Sequence, residues 1–257
     1  MPVRHRELRL NGCSLSLLPP RDLAALDDDA YDAKLAAVQR LRGRVYLADG
    51  AIPASALDAT GRHRSDVDPL SWHVLAERRD GSLCGCIRTT VHSTVEELES
   101  GPLFRLLNRT APDVRAAHLA AIHAAIDVSG DHRSFEVGGW ATDENERRSL
   151  LPVYLALSCW SMIRLQGLTV AFAATTDRHG SSSMLVRLGM FPVRHDERPL
   201  TPFHDSAYGC WMQILQATDQ PAPAYDDVVC RLEEQLLPLV ASRCRRGTHL
   251  PRQIIAS

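Results

Sequence analysis

Lysine is almost absent from this chain: Lys34 is the only one in 257 residues, so nearly all of the positive charge is arginine. The guanidinium fork of arginine suits phosphate and carboxylate groups, although a GC-rich coding sequence produces the same bias. No two of the seven cysteines have C-x-x-C spacing, which argues against a zinc site or a disulfide framework. No apolar run is long enough for a signal peptide or a membrane span. We therefore expect a cytoplasmic protein with reduced thiols, no metal site and no membrane partner.

A strong net charge is also missing. The formal net charge is −2 and the pI is about 6.6, so no global field attracts nucleic acid or an anionic membrane. With 45% hydrophobic residues, the chain can build one sizeable core. We expect a single domain over residues 1–217, with its core at about 40–195, followed by a helical C-terminal extension over residues 218–257.

The periodicity of the apolar residues predicts the order strand, helix, hairpin, helix, strand, helix, strand, helix, strand. The hairpin is the clearest element, since "SWHVLAE" and "LCGCIRTTVH" flank the turn signal Asp80-Gly81. From Phe135 onward, strands alternate with helices. This order predicts an α/β (α+β) architecture, in which a mixed central sheet has helices on both faces.

The segments "FEVGGWAT", "LTVAFAATTD" and "SSSMLVRLGM", separated by a helix and a short loop, resemble the second half of the Gcn5-related N-acyltransferase fold. In that fold a bulged strand, a helix N-terminus and the next strand splay apart to hold an acyl-pantetheine thioester. The resemblance therefore implies that residues 135–142 and 168–174 form adjacent parallel strands. It also implies that these strands diverge at their C-terminal ends to leave a V-shaped opening.

More narrowly, the chain resembles the acyl-homoserine lactone synthases and the N-acyl amino acid synthases of that superfamily. The similarity covers roughly residues 40–195 and depends on the order and spacing of four short motifs. Their residues are Arg44 and Tyr46, Asp66 and Asp68, Gly85 and Arg88, and Glu136 and Trp140. Gly138 and Gly139 replace the serine and arginine of the family's E-x-S-R-[FW] pattern, which weakens the resemblance to the quorum-signal synthases in particular. Leu185 replaces a tyrosine that many acetyltransferases have at this position.

Amide formation requires a base for the attacking amine and hydrogen-bond donors for the oxyanion. The resemblance assigns the base to Glu136, acting directly or through a water molecule. A β-bulge at Gly138-Gly139 would free backbone N–H groups near Trp140 and Ala141, because paired glycines otherwise weaken a strand. These N–H groups are the predicted oxyanion donors.

The predicted acceptor-binding residues are Arg44, Arg88 and Trp72. Arg88 lies in an otherwise apolar strand, where a guanidinium needs an anionic partner. The sequence leaves two partners open: a carboxylate of the acceptor, or a structural ion pair with Asp66 or Asp68.

In coenzyme A-dependent members of the family, the turn before the helix reads [RQ]-x-x-G-x-[GA], and the aligned residues here are "RRSLLP". Both glycine positions are lost, and Pro152 removes a backbone donor. Arg147, Arg148 and the N–H groups of Ser149 and Leu150 remain, a set that suits one phosphodiester better than a pyrophosphate. We therefore expect a phosphopantetheine arm on a carrier protein, or a tRNA 3′ end, ahead of free acyl-coenzyme A. The predicted donor-binding residues are Thr142, Arg147, Arg148, Ser149, Leu150, Thr175 and Ser182.

The resemblance implies an N-acyltransferase that moves an acyl group from an activated donor, preferably a carrier-protein thioester, to the amine of a small molecule such as an amino acid. The donor, acyl-phosphopantetheine or acyl-coenzyme A, is a co-substrate, and no permanently bound cofactor is expected. Three alternatives stay open: an aminoacyl-tRNA-dependent transferase, an acyl-homoserine lactone synthase and a non-catalytic binding module. The acidic pI weighs against tRNA, whereas the C-terminal "RCRRGTHLPR" offers a local basic patch.

Overall fold

The computed structural model describes Leu10 and residues 12–243. The side chains of the basic segment 243–252 lie outside the described residues. The strands are β1 (Ser14–Leu18), β2 (Trp72–Glu77), β3 (Leu83–His92), β4 (Ser134–Thr142), β5 (Ala171–Thr176), β6 (Phe191–Pro192), β7 (Arg194–His195), β8 (Arg198–Pro199), β9 (Phe203–Asp205) and β10 (Cys210–Ala217). The helices are α1 (Asp28–Ala48), α2 (Val95–Ser100), α3 (Pro102–Leu107), α4 (Pro112–Ser129), α5 (Leu151–Leu165), α6 (Ser181–Leu188) and α7 (Asp226–Arg243).

One mixed sheet of eight strands organises the chain. Its order is β1-β2-β3-β4-β5-β10-β6, and β9 pairs with β10 as well. Strands β4 and β5 are parallel, and the other neighbouring pairs of this sheet are antiparallel. Strands β7 and β8 form a separate two-stranded ribbon. The predicted mixed sheet is therefore confirmed.

Strands β4 and β5 separate after a short paired stretch. Their pairing runs from Phe135 opposite Ala171 to Val137 opposite Ala173. Both strands continue for several residues beyond the last pair, so their C-terminal ends are not hydrogen-bonded to each other. The predicted V-shaped opening between parallel strands is confirmed, although β5 begins at Ala171 rather than at residue 168.

Helices cover both faces of the sheet, because its central strands are apolar on alternate sides. On one face, α1 and the group α2–α4 pack over side chains such as Leu75 and Phe172. On the other face, α5, α6 and α7 form the largest core with side chains such as Val74 and Phe135. The contribution of α7 to this core consists of Val229, Leu232, Leu236 and Val240. The C-terminal helix thus packs on the same sheet as the rest of the chain.

The ends of the helices follow from local sequence. The Asp27 carboxylate accepts the backbone N–H of Ala30 at 2.8 Å and so caps the start of α1. Helix α4 ends at Ser129 and is capped by Gly130, whose φ of +67° lies in the left-handed region that glycine tolerates. None of the helices in the described part of the chain is long and apolar enough to span a membrane.

Candidate active site

Strand β4 contains a β-bulge at the point where it leaves β5. The pairing register shifts between Cys86 and Arg88 of β3, so that one residue of β3 faces both Gly139 and Trp140 of β4. Gly139 has a φ of +60°, which is the conformation that a glycine bulge requires. The bulge predicted from the glycine pair is therefore present. Its outer edge faces the V-shaped opening, because β4 no longer pairs with β5 there.

Side chains from α1 and β3 hold the backbone of the bulge. The Tyr46 hydroxyl donates to the carbonyl of Trp140 at 3.1 Å, and the Cys86 thiol donates to the carbonyl of Gly139 at 3.4 Å. Burial raises the pKa of Tyr46, so its hydroxyl stays protonated and remains a donor. Two carbonyl groups of the bulge therefore have fixed partners, which orients the peptide units between them.

Glu136 lies two residues before Gly138 in β4, on the face that α1 and α2–α4 cover. The residue is 4% exposed, and its Oε2 is 3.4 Å from Nε2 of His92 on β3. Neither of these two atoms makes a hydrogen bond to a described residue. Gly101 provides the space, since a Cβ added there would be 2.7 Å from Glu136 Oε2. The carboxylate is thus enclosed, and one of its oxygens has no hydrogen-bond partner among the described residues.

A buried ion-pair cluster lies beside the bulge on the same face. Asp68 accepts hydrogen bonds from Arg42 Nη1 at 2.7 Å, from Arg42 Nη2 at 2.6 Å and from Arg88 Nη1 at 3.0 Å. Gln39 Nε2 and the backbone N–H of Ser65 also donate to it, each at 3.0 Å. The three charged residues are at most 5% exposed. We call Arg42, Asp68 and Arg88 the arginine cluster.

The arginine cluster has more positive than negative charge. Two guanidinium groups share the one carboxylate of Asp68, and neither pairs with a second carboxylate among the described residues. The Nε atoms of Arg42 and Arg88 are buried without a hydrogen-bond partner in that part of the chain. Arg88 also touches the bulge, since a Cβ added to Gly138 would be 3.1 Å from its Nη2. Because a buried charge is costly unless it is paired, the cluster is suited to an anionic group next to the bulge.

The turn between β4 and α5 holds most of the predicted donor-binding residues. Arg147 pairs with Asp49 at the end of α1, with 2.7 Å between Nη2 and Oδ1. Arg148 is exposed and makes no hydrogen bond or ion pair with a described residue. Leu150 is 60% exposed, and Thr142, at the end of β4, is 8% exposed. Of the two arginines, Arg148 is therefore the one whose guanidinium is free to meet a phosphate.

Ser149 is engaged by its own turn. Its N–H and its hydroxyl both donate to the carbonyl of Glu146, at 3.0 and 2.8 Å, and its Oγ accepts the N–H of Leu151 at 3.1 Å. The expectation that the Ser149 N–H is available to a phosphate is therefore wrong. Of the two N–H groups predicted to bind a phosphate, only that of Leu150 is available. The described residues provide no acceptor for it.

The loop between β5 and α6 lies near this turn, because both contact Asp49. Arg178 Nη1 donates to the backbone carbonyl of Asp49 at 2.9 Å, and His179 Nε2 is 3.6 Å from its Oδ1. The hydroxyl groups of Thr175 and Ser182 are 2.6 Å apart. A groove of about 510 Å³ begins here; its lining residues are His179, Gly180, Ser182, Ser183, Met184, Val186, Arg187 and Gln213. The two sets of predicted donor-binding residues thus flank the same end of the sheet.

Comparison with known proteins identifies the fold. No protein-family model and no curated protein matches the sequence. A structure of BjaI, a CoA-dependent acyl-homoserine lactone synthase, with SAM and isopentyl-CoA has a TM-score of 0.57 at 15% identity, over 86% of this chain and 90% of that chain. The chain has the acyl-homoserine lactone synthase fold. MesI, another CoA-dependent acyl-homoserine lactone synthase, matches with a TM-score of 0.51 at 13% identity, over 89% of this chain and 95% of that one. At these identities the similarity concerns the fold, and the acyltransferase-like fold predicted from the sequence is confirmed.

Two residues that were predicted to bind the acceptor lie elsewhere in this fold. The Arg44 side chain is 61% exposed and pairs with Asp143, with 2.9 Å between Nη2 and Oδ2. Trp72 is 2% exposed and packs in the core under α5, on the face opposite to Arg88. The arginine of α1 that binds Asp68 is Arg42, which the motif comparison missed. Among the predicted acceptor residues, only Arg88 lies at the bulge.

The His73 side chain is buried beside the arginine cluster and is uncharged at neutral pH. Its Nε2 donates to the backbone carbonyl of Asp68 at 2.9 Å, and its Nδ1 has no partner among the described residues. Burial is the main reason that its pKa is lowered to about 4, and the charges of Arg42 and Arg88 lower it further. In the unfolded chain the pKa of histidine is about 6.5.

The free energy of unfolding is expected to fall as the pH is lowered from about 6.5 to about 4. In that window the unfolded chain binds a proton at His73 that the folded chain does not bind, so the group adds a slope of up to about 1.4 kcal/mol per pH unit. Urea unfolding at several pH values measures the slope. The variant His73→Gln should show a shallower slope, and an unchanged slope would show that His73 is not responsible.

Proposed function

We propose that the protein is an N-acyltransferase that joins an acyl group from an activated donor to the amine of a small molecule with a carboxylate, such as an amino acid. One observation supports the proposal most directly. A buried carboxylate, a glycine bulge and a cluster with excess positive charge lie together where two parallel strands diverge. The three features offer a base, oxyanion donors and an anion site to one small substrate.

In this proposal, a residue or backbone group of the site is assigned to each step of amide formation. The carboxylate of the acceptor binds the free side of Arg88, which places its amine near the bulge. Glu136 accepts the proton that leaves the amine as it attacks the thioester carbonyl, directly or through a water molecule. Backbone N–H groups at residues 139–141 stabilise the oxyanion. The thiol of the donor then leaves, and the product is an amide.

The acceptor class follows from the charge of the arginine cluster. An acceptor amine without a carboxylate would leave the excess guanidinium charge without a partner. An α-amino acid supplies a carboxylate that can pair with it. We therefore expect the enzyme to prefer amino acids to the corresponding amines that lack a carboxylate. The amine and carboxylate of one amino acid are close enough to reach the bulge and Arg88 together.

The donor is proposed to be a carrier-protein thioester. The turn before α5 lacks the glycines that let a pyrophosphate approach a helix N-terminus, and Arg147 is already paired with Asp49. Arg148 and the N–H of Leu150 remain for a single phosphate. Acyl-coenzyme A is the second candidate, because BjaI and MesI are both described as CoA-dependent.

The test of the proposed function presents one acyl group on a carrier protein, on coenzyme A and on tRNA, each with a panel of amino acids and their decarboxylated amines. Mass spectrometry of the products identifies both substrates. We expect amide formation from amino acids, with the carrier-protein thioester as the best donor. Transfer from none of the three donors would contradict an acyltransferase function. Equal use of acyl-coenzyme A would contradict the donor assignment alone.

Arg148→Ala is expected to raise the KM for the carrier-protein donor about two- to fivefold and to leave kcat nearly unchanged. An exposed charge pair is worth up to about 1 kcal/mol and acts alike in the ground state and the transition state. The salt dependence of donor binding should also become weaker. Arg115→Ala, which removes an exposed arginine of α4, is the control and should change neither parameter. An equal effect of both substitutions would remove Arg148 from the donor site.

A further inference from the structure

Three potential metal ligands converge at the hairpin side of the sheet, outside the site described above. Cys13 precedes β1, Cys84 lies in β3 and Glu146 lies in the turn before α5. The sulfur atoms of the two cysteines are 3.2 Å apart, and one carboxylate oxygen of Glu146 lies within 4.8 Å of both. These residues come from three separate segments, so the fold rather than local sequence brings them together.

We propose that Cys13, Cys84 and Glu146 form a binding site for a divalent transition metal of the zinc class. Two thiolates and one carboxylate are ligands that Zn²⁺ uses, and a water molecule would complete a tetrahedron. The proposal differs from the expectation of no metal site, which depended on the absence of C-x-x-C spacing. It does not depend on the proposed acyltransferase activity.

The geometry requires only a small adjustment. In a tetrahedral site with Zn–S bonds of about 2.3 Å, the two sulfur atoms are about 3.8 Å apart. The observed 3.2 Å is shorter by about half an ångström, a difference that a side-chain rotation supplies. Cys84 is buried, whereas Cys13 and Glu146 are partly exposed, so an ion can enter from solvent.

The charges near the site also balance. Two thiolates and one carboxylate around a divalent ion leave a net charge of −1. Arg78 Nη2 lies 3.5 Å from Glu146 Oε1 and supplies one positive charge. Asp143, 3.6 Å from the same nitrogen, also pairs with Arg44, so these groups together are neutral. Such contacts from a neighbouring side chain to a ligating carboxylate orient the ligand and tune its affinity.

The protonation of the thiols gives the site a pH dependence. A cysteine binds a metal ion as the thiolate, and a free cysteine thiol is largely protonated at neutral pH. Without a cation the pair therefore stays protonated at neutral pH, and an ion must displace both thiol protons to bind. Affinity should increase with pH, and each bound ion should release about two protons.

A bound ion would join the start of β1 and strand β3 to the turn that precedes α5. Glu146 is followed directly by Arg147 and Arg148. The site is thus a structural link from the edge of the sheet to the turn that carries the exposed Arg148.

The experiment titrates the reduced full-length protein with Zn²⁺ in competition with a chromophoric chelator, and with Co²⁺ while the absorption spectrum is recorded. We expect one ion per chain, a thiolate-to-cobalt charge-transfer band and release of about two protons. Cys13→Ser and Glu146→Gln should each weaken binding by more than about tenfold. The controls Cys230→Ser and Glu144→Gln, an exposed cysteine of α7 and an exposed glutamate of the same turn, should bind like the unchanged protein.

Three outcomes would overturn the proposal. The first is a reduced protein that binds neither ion in stoichiometric amount. The second is binding that Cys13→Ser and Glu146→Gln leave unchanged. The third is a cobalt complex without a thiolate band. If the reduced protein binds no metal but loses two thiols on oxidation, the cysteines are a disulfide-forming pair and the metal proposal is wrong.

Discussion

Replacing Glu136 by glutamine is expected to lower the rate of acyl transfer by about two to four orders of magnitude, the usual contribution of a general base. Glutamine keeps the size of the side chain in its enclosed position beside His92 and Gly101. It cannot accept the proton that leaves the attacking amine. Single-turnover kinetics at saturating donor and acceptor measure the chemical step separately from binding.

The control for this variant is Glu99→Gln. Glu99 also pairs with a histidine, His123, at 2.9 Å, but its side chain is 43% exposed and lies on α2, away from the bulge. We expect this variant to retain the activity of the unchanged protein. If a correctly folded Glu136→Gln variant has normal turnover across the pH range, Glu136 is not the base.

Much of the fold could be predicted from the sequence because its signals are local. Alternating and helical apolar patterns gave the order of the elements, and Asp80-Gly81 indicated the hairpin. The pair Gly138-Gly139 indicated the bulge, since two glycines in a strand otherwise only weaken it. These features depend on residues next to one another in the chain.

The members of the arginine cluster were harder to predict, because the rotation of α1 about its axis decides which of its arginines faces the sheet. Arg42 and Arg44 are two positions apart in α1, about 200° around the helix axis, so only one can face the sheet. Arg42 continues the buried positions Leu35 and Val38, whereas Arg44 lies outside that stripe. The apolar spacing in the sequence was the signal that could have identified Arg42.

Other site features depend on contacts between distant segments. Both faces of β2 are buried, so its pattern did not indicate that Trp72 faces α5 while His73 faces the arginine cluster. The ion pair of Arg147 with Asp49 and the approach of His92 to Glu136 join segments that are far apart in the sequence or on different strands. A short sequence motif cannot predict contacts of this kind.

The choice between Asp66 and Asp68 as the partner of Arg88, which the sequence left open, is resolved by burial. Asp68 is fully buried between the two guanidinium groups, and their hydrogen bonds and charges hold its pKa well below the usual range. Asp66 instead pairs with Arg105 at the surface, with 2.7 Å between Oδ1 and Nη2. The two aspartates are only two positions apart, but they differ in burial and in the arginines that they pair with.

Asp68→Asn is expected to lower the free energy of unfolding by about 3–5 kcal/mol, because it leaves Arg42 and Arg88 buried without a counter-charge. That is a large part of the roughly 5–15 kcal/mol that stabilises a typical domain. Urea unfolding measures the loss. In the unchanged protein, the stabilisation from Asp68 is present above about pH 4 and disappears as the pH falls toward its lowered pKa, and the variant should lack this component.

The matched control is Asp66→Asn, which makes the same chemical change two residues earlier. The Asp66 side chain is 69% exposed and that of Arg105 is 43% exposed, and such surface pairs contribute only about 0–1 kcal/mol. We therefore expect little change in its unfolding free energy. A similarly small loss in Asp68→Asn would mean that solvent reaches the two guanidinium groups. In that case the excess positive charge would be hydrated, and the argument that it selects an acceptor with a carboxylate would fail.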